Sequence, residues 1–441
     1  MSPLPASLRG LGGQVADRMK SGFVWSVVAA GFTHGSTFLS GILLANLLGR
    51  DDFGRFSLLR NAVLTVAALA PFATGITGMK YTAELRKTDK VRAGRVLGLC
   101  LLVSVTAGAG ASALFSAAGP PLARSYLRAP EVATLFVIAG AGILFQVLSS
   151  YSTSVLAGAE AYRSFAYSSG VAGLMALAVI VAGGWRYGLV GSVGGLVGAT
   201  IIQAAVFGAA SHVTLRKEGI GVHLRGVSSE MALVKHFIVP AALGGLAAMP
   251  AQWLAASFLA RQTNGFGELA IFSAAFSLRN LVLALPGLGS VVGASILNHE
   301  YGAGSPSSLG MAVRTLILTT GSLAFLGGGA VILAGRPLLS LFGKTFETGY
   351  SVLTLLALSA ILEALVMALN HIFVAEGRLW RLFSAVLLPR DVTLVVAAVF
   401  LTATTGAVGL ALSHLVAHGL ALGLAIWNVR TGGVWRRAWD S

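Results

Sequence analysis

Between Lys20 and Arg50 the chain runs without one charged side chain, and apolar stretches of this kind recur along its length. About 20 apolar residues are what a helix needs to cross the hydrocarbon of a bilayer. Only 11% of the 441 residues are charged and 56% are hydrophobic, whereas a soluble domain is roughly a quarter charged. A soluble enzyme, a disordered chain and a disulfide-built secreted scaffold are all excluded. The single cysteine, Cys100, forms no internal disulfide. The net charge of +15 fits cytoplasmic loops that face anionic lipid. No basic stretch carries the interleaved aromatics of a base-stacking surface, so no nucleic acid partner is expected.

Marking the runs gives twelve expected spans, at roughly 22–48, 57–79, 96–118, 131–156, 165–184, 188–210, 237–260, 269–296, 311–334, 349–373, 382–403 and 407–428. The first is longer than the apolar core of a signal peptide and reads as an uncleaved helix. With both termini in the cytoplasm, twenty Lys and Arg fall on that side and eight on the other, which satisfies the positive-inside rule. Three more, Arg60, Arg279 and Arg390, lie inside spans.

The chain also matches itself at offsets of 215 to 218. Leu44-Ala45 returns as Leu259-Ala260, Phe56-Ser57 as Phe272-Ser273, Gly119-x-Pro121-Leu122 as Gly335-x-Pro337-Leu338, Ala159-Glu160 as Ala375-Glu376, and Gly188-x-Val190-Gly191 as Gly406-x-Val408-Gly409. Each match is weak in so repetitive a composition, but their common order points to duplication. Six spans per copy give both copies the same orientation, the parallel repeat of transporters with a cavity between halves. The expected fold is therefore all-α and membrane-integral. It comprises an N-terminal lobe over 1–210, a cytoplasmic linker over 211–236 and a C-terminal lobe over 237–441 with a short tail. Gly191, Gly194, Gly195 and Gly198 suit close helix packing on one span. Pro71 and Pro286 either bend cavity-lining helices or are merely tolerated there.

Ionisable groups within a span cost free energy and normally face a wet cavity or a partner. Arg60-Asn61 and Arg279-Asn280 both lie on the second span of their halves, each shortly after a Phe-Ser. Facing inward, the two guanidiniums would suit phosphate, which an arginine fork grips with parallel hydrogen bonds. Snorkelling to the interface is the alternative, especially for Arg60, one turn inside its expected span. Arg390 and Asp391 follow Pro389 and point about 100° apart, so each should need a partner from another helix, with Glu363 expected for Arg390. Asp391 and Glu363 serve either as structural ion-pair members or as ion-coupling groups that exchange a proton or bind sodium. His414 and His418, four apart, resemble half a metal site but lack a nearby sequence ligand, so packing or a cavity wall is expected and no metal. No nucleotide-cradling loop and no motor-sized loop is present, so no cofactor is expected and the chain is not expected to be an enzyme.

The segments Gly22-Phe-Val-Trp25, Leu43-Leu-Ala-Asn-Leu-Leu-Gly49 and Phe53-Gly-Arg-Phe-Ser57 resemble the polysaccharide (O-antigen type) lipid flippases. These belong to the multidrug/oligosaccharidyl-lipid/polysaccharide exporter (MOP) superfamily. Phe258-Leu-Ala260 and Phe266-Gly-Glu-Leu-Ala-Ile-Phe-Ser273 are similar to the family's seventh and eighth helices. The resemblance covers most of the chain. It implies a bacterial inner-membrane flippase moving an undecaprenyl-diphosphate-linked oligosaccharide outward by alternating access through a cationic cavity. Membrane lipids, and beyond them a polysaccharide polymerase and glycosyltransferases, are the partners it implies. Arg60 and Arg279 fall where related flippases place cavity arginines, with Asn61 and Asn280 beside them, whereas Arg390 rests on the membrane argument alone. A cation-coupled multidrug exporter of the same superfamily and a membrane-embedded glycosyltransferase are the alternatives.

Overall fold

The computed structural model describes residues 6–70, 74–231, 248–303 and 306–431. Among these the chain is helical throughout, without strands. The helices are α1 (Ala6–Leu69), α2 (Thr74–Leu85), α3 (Lys90–Pro121), α4 (Ala133–Gly158), α5 (Tyr162–Glu218), α6 (Ala248–Ala260), α7 (Gly265–Ala303), α8 (Pro306–Leu333), α9 (Gly335–Ser340), α10 (Tyr350–Ala375), α11 (Leu379–Leu382) and α12 (Leu388–Arg430). Eight described stretches are long and apolar enough to cross a membrane, and three of those run to 46, 57 and 52 residues. At 1.5 Å per residue such lengths are about twice a bilayer.

Each of the three breaks once. The backbone leaves helical geometry at Gly49 in α1, at Tyr187 and Gly188 in α5, and at Gly406 in α12. The breaks give α1a (6–48) and α1b (50–69), α5a (162–186) and α5b (189–218), and α12a (388–405) and α12b (407–430). In α5 the chain doubles back. Gly191 lies against the Gly183 carbonyl and Gly195 against Val179 and Ile180, so contact partners approach the break from both sides. The glycines anticipated for close packing do this work, except Gly194, which faces open space. With the breaks counted, eleven of the twelve expected spans are present. The expected seventh span is represented by α6, and its earlier residues lie outside the described ones, as does Pro71. Helix α7 continues through Pro286.

The second span starts earlier than its apolar run. Sequence places it from about residue 57, but helix resumes at Arg50. The intervening charges are helix-compatible because they sit at its end and pair locally, with Arg55 Nη1 2.7 Å from Asp52 Oδ1. Arg60 therefore lies ten residues, about 15 Å, into α1b rather than one turn.

Backbone dihedrals expose the repeat more clearly than residue identity does. Ten described residues have positive φ. Eight of them pair at offsets of 215 to 218: Gly49 with Asn264, Arg128 with Gly343, Glu160 with Gly377, and Gly188 with Gly406. The last pair agrees closely, φ 57 and ψ −137 against φ 56 and ψ −129. Gly409 then meets the Leu401 carbonyl as Gly191 meets that of Gly183. The two unpaired positions, Gly219 and Gly226, lie in the expected linker.

Contacts group the chain into two units. The first comprises Met1–Ser40, Val66–Ala123 and Pro130–Leu243, and the second Gly41–Thr65, Arg124–Ala129 and Gly244–Ser441. In the first, Val96, Leu97, Cys100 and Val155 form a core between α3 and α4. The end of α5b is followed by a strap whose His223 amide donates to the Gly94 carbonyl at 3.1 Å. Buried Glu230 anchors that strap through Arg92, at 3.3 Å. In the second unit, Ala357, Ala360, Ala364 and Ala368 form a fully buried stripe on α10, and Ala417, Ala421 and Ala425 form one on α12b. Large side chains such as Phe325, Leu333 and Phe400 point outward. Lipid gives no hydrophobic reward for burying a leucine, so small residues line helix contacts and large ones face the tails.

Adding a Cβ at Gly406 or Gly409 should therefore break the α12 hairpin. Gly406→Ala forces an L side chain into a glycine-only conformation, and Gly409→Ala overlaps the Leu401 carbonyl. Each is expected to cost about 1–3 kcal/mol. Thermal unfolding of purified protein should show lower Tm for both and for Gly188→Ala, with Gly194→Ala unchanged.

Candidate functional site

The second unit holds a cluster of ionisable side chains at the meeting of α7, α10 and both halves of α12. Arg279 comes from α7, fourteen residues past its start, and its side chain is buried. Its guanidinium forms an ion pair with Glu363 of α10. Its Nε donates to Ser359 Oγ at 3.3 Å, and its Cζ lies 4.9 Å from the Phe276 ring centre. A salt bridge here stabilises only because further contacts satisfy the remaining donors. Ser359 and Glu363 are four apart, so one face of α10 supplies both.

Arg390 pairs with Asp391, its neighbour on α12a. Nε donates to Oδ1 at 2.8 Å and Nη2 lies 2.7 Å from the same oxygen. This corrects the expectation that each would need a partner from another helix, and that Arg390 would pair with Glu363. Adjacent Cα–Cβ bonds diverge, but the long arginine stem folds back across the gap, and Arg279 already occupies Glu363. Asp391 Oδ2 is buried without a hydrogen-bond partner among the described residues.

His418 completes the cluster, and sequence reasoning did not join it to Glu363. The two are far apart in sequence, and no local spacing signals the contact. Nδ1 of His418 lies 2.8 Å from the His414 carbonyl, so that nitrogen carries a hydrogen and donates. Nε2 lies 3.4 Å from Glu363 Oε2. In the neutral ring Nε2 would then present a lone pair to a carboxylate lone pair. One proton, on the imidazole or on the carboxyl, turns that contact favourable. His414 packs instead: its ring lies 5.6 Å from Phe272 and 5.7 Å from Phe276, nearly parallel to His418. Among the described residues no group of His, Cys, Asp and Glu could hold a metal ion.

Arg60 is the contrasting case. It is half-buried on α1b, and among the described residues it has neither an ion-pair nor a hydrogen-bond partner. The Gly49–Asn264 match sets the repeat offset at 215 here, so Ala275 is its counterpart. Arg279 lies one turn further along on nearly the same face. Asn61 and Asn280 are both exposed, and the Asn61 backbone carbonyl accepts from Thr65 Oγ1 at 2.8 Å. Among the described residues, two of the three intramembrane arginines are thus neutralised by carboxylates, and one is not.

Removing one partner of the buried pair should hurt more than removing both. Glu363→Ala leaves the Arg279 charge uncompensated, at an expected cost of about 3–5 kcal/mol. Arg279→Met with Glu363→Met should recover most of the lost abundance and Tm, measured by fluorescence-detected gel filtration of membrane extracts.

No protein-family model matches the chain. It is 26% identical over 396 residues to the EPS I polysaccharide export inner membrane protein EpsE of Ralstonia solanacearum, covering 87% of this chain and 84% of that protein. Among solved structures it resembles an inward-facing multidrug resistance MATE family transporter of the MOP superfamily. The TM-score is 0.73 at 18% identity, covering 93% of this chain and 98% of the other. A MOP superfamily transporter from Pyrococcus furiosus, described as having a binding pocket of reverse polarity, gives a TM-score of 0.64 at 16% identity, covering 94% and 95%. The resemblance read from the sequence is borne out in fold: this is an all-α membrane protein built as the MOP-superfamily transporters are, and along most of its length it is similar to a polysaccharide export protein.

Proposed function

We propose that the chain is a flippase that moves a polyprenyl-diphosphate-linked oligosaccharide from the cytoplasmic to the periplasmic leaflet of a bacterial inner membrane. The duplicated helices would form two lobes, 1–210 and 237–441, joined by the cytoplasmic linker 211–236. They would rock about a central cavity with both termini in the cytoplasm. The single observation that carries the sign of the cargo is Arg60, a permanent cation about 15 Å along its helix with no ion-pair or hydrogen-bond partner among the described residues. An uncompensated charge at such depth is expensive unless water or an anion reaches it. A guanidinium suits the diphosphate because its fork matches two phosphate oxygens. Similarity to a polysaccharide export protein supplies the rest of the cargo.

Arg279 would join Arg60 only when Glu363 lets it go, so the carboxylate and the diphosphate compete for one guanidinium. Asn61 and Asn280, both exposed, would donate to the phosphates or first sugar. Arg390 would contribute field more than contact, since Asp391 holds it. Glu363 and Asp391 remain the ion-coupling groups in this reading. The His418 contact favours a proton over sodium, because a proton is what makes that contact attractive. The membrane potential adds a driving force of its own: two negative charges carried outward gain roughly 4.6 kcal/mol per 100 mV. Sugars would rest in the wet lumen and the isoprenoid tail would stay in lipid. Nothing in this cycle makes or breaks a covalent bond. The glycosyltransferases and polymerase implied by the pathway would act before and after it. A multidrug exporter shares the fold, but cationic drugs call for free acids in the cavity, and here the free group is an arginine.

Arg60→Ala is expected to abolish polysaccharide export in cells while protein abundance and Tm stay at wild-type values. Normal export at normal abundance would remove Arg60 from the site. Glu363→Gln and Asp391→Asn should each lose the dependence of transport on an imposed proton gradient in proteoliposomes. Unchanged dependence in both would end the coupling role.

A further inference from the structure

A second site lies in the first unit, away from the cluster just described. It is a cavity of about 730 Å³ between the middle of α1a, the α4–α5 connection and the last turns of α5b. Its walls include Trp25, Tyr162, Arg163, Val213, Lys217 and Glu218. Tyr162 is held close to α1a because Gly22 has no Cβ; one built there would come within 3.0 Å of the tyrosine ring. The Arg163 guanidinium lies 5.4 Å from the Trp25 ring centre, and Trp25 lies 5.6 Å from the Tyr167 ring. That stack fixes Arg163 at the mouth. Glu160 also lines the cavity, but Arg86 neutralises it at 2.7 Å. Arg163 and Lys217 have no carboxylate partner among the described residues. Among the described residues Glu218 is the one acid of the lining without a partner, so the lining keeps a net positive charge.

The location narrows the ligand. The α4–α5 connection and α5b contribute helix ends, and Trp25, though well inside α1a, stands four residues into the uncharged run that opens the first span. Tryptophan and tyrosine gather at this depth, where one side is wet and the other is hydrocarbon. Val213 is exposed beside the two cations and gives an apolar exit. The volume falls within the range of small-molecule sites. A soluble anion has no use for the aromatic and aliphatic wall, and a neutral lipid has none for the cations.

We propose that this cavity binds the phosphate-bearing headgroup of a membrane lipid. Arg163 and Lys217 hold the phosphate oxygens, and the hydrocarbon leaves past Trp25 and Val213. The phosphate comes either from the polyprenyl diphosphate carrier awaiting transport or from a bulk anionic phospholipid. Only the carrier source rests on the flippase reading; the phospholipid source stands without it.

The test uses the full-length protein, purified and stripped of lipid. It is titrated separately with undecaprenyl diphosphate, phosphatidylglycerol and the phosphate-free diacylglycerol, and bound lipid is counted by native mass spectrometry. Wild-type protein should retain at least one of the phosphate lipids roughly tenfold better than diacylglycerol. Arg163→Gln with Lys217→Gln should lose that preference, and so should Val213→Trp, which fills the cavity without changing charge. Selective retention of undecaprenyl diphosphate identifies the carrier as occupant, and selective retention of phosphatidylglycerol identifies a phospholipid. Wild-type preference surviving in Val213→Trp overturns the site, even where the double variant fails to fold. The outcome for Arg60→Ala is independent, so loss of the flippase reading and loss of this site are told apart.

Discussion

A guanidinium placed in hydrocarbon has to be answered, and Arg279 is answered by side chains of α7 and α10 in the second unit. Glu363 neutralises it, Ser359 takes a further donor, and the Phe276 ring covers a face of the cation. These contacts require α7 and α10 to keep one register, because a slip of a single residue would turn either side chain through about 100°. The alanine stripes of α10 and α12b bring the backbones close enough for this geometry, and they also bring His418 against the same carboxylate. Burying such a pair yields little net stability compared with an apolar contact of equal size. What it yields is specificity of packing, together with a charge balance that one proton or one anion can upset.

In the proposed function that sensitivity would link the cluster to transport. A ligand shifts a conformational equilibrium only through contacts that differ between two states. An anion that drew Arg279 away would leave Glu363 with His418 as its nearest cationic partner, and would favour proton uptake there. Such uptake would accompany binding of the anion, so the two would tend to travel together rather than in exchange. In the proposed cycle the membrane potential would already favour outward movement of an anionic headgroup, and one accompanying proton would offset only part of that drive.

Much of the architecture was legible because bilayer thickness sets a strict length for apolar runs. The runs gave the spans, and the order of the weak matches gave the duplication. The start of α1b was not legible, since Arg50, Asp51, Asp52 and Arg55 read as loop while forming a helix end that water and local pairing can satisfy. Hidden too was the identity of ionic partners. Arg390 turned to its own neighbour and Glu363 to Arg279, because reach along a flexible stem and competition for one carboxylate are three-dimensional facts. The positive-φ pairs show the complementary case. Arg128 and Gly343, or Glu160 and Gly377, share no residue type, yet the turns they make are the same. Duplication preserved the backbone conformation longer than the side chains.

The repeat also separates what the fold needs from what it merely accommodates. At offsets of 215 to 218, the positions matching Arg279 are Asn61, Ala62, Val63 and Leu64, those matching Glu363 include Gln146 and Val147, and at 218 His414 and His418 correspond to Leu196 and Thr200. Arg390 and Asp391 correspond to Ala172, Gly173 and Leu174. The same hairpins and turns therefore form in the first half with no buried ion at any of these places. A six-helix half of this kind does not require the cluster for its assembly, and the desolvation cost of each charge is borne by one copy only. Arg60 makes the converse point, since its counterpart in the second half is Ala275. Charges that the architecture can do without, and that differ between two copies of one design, are what the proposed cargo-binding and ion-coupling roles would account for.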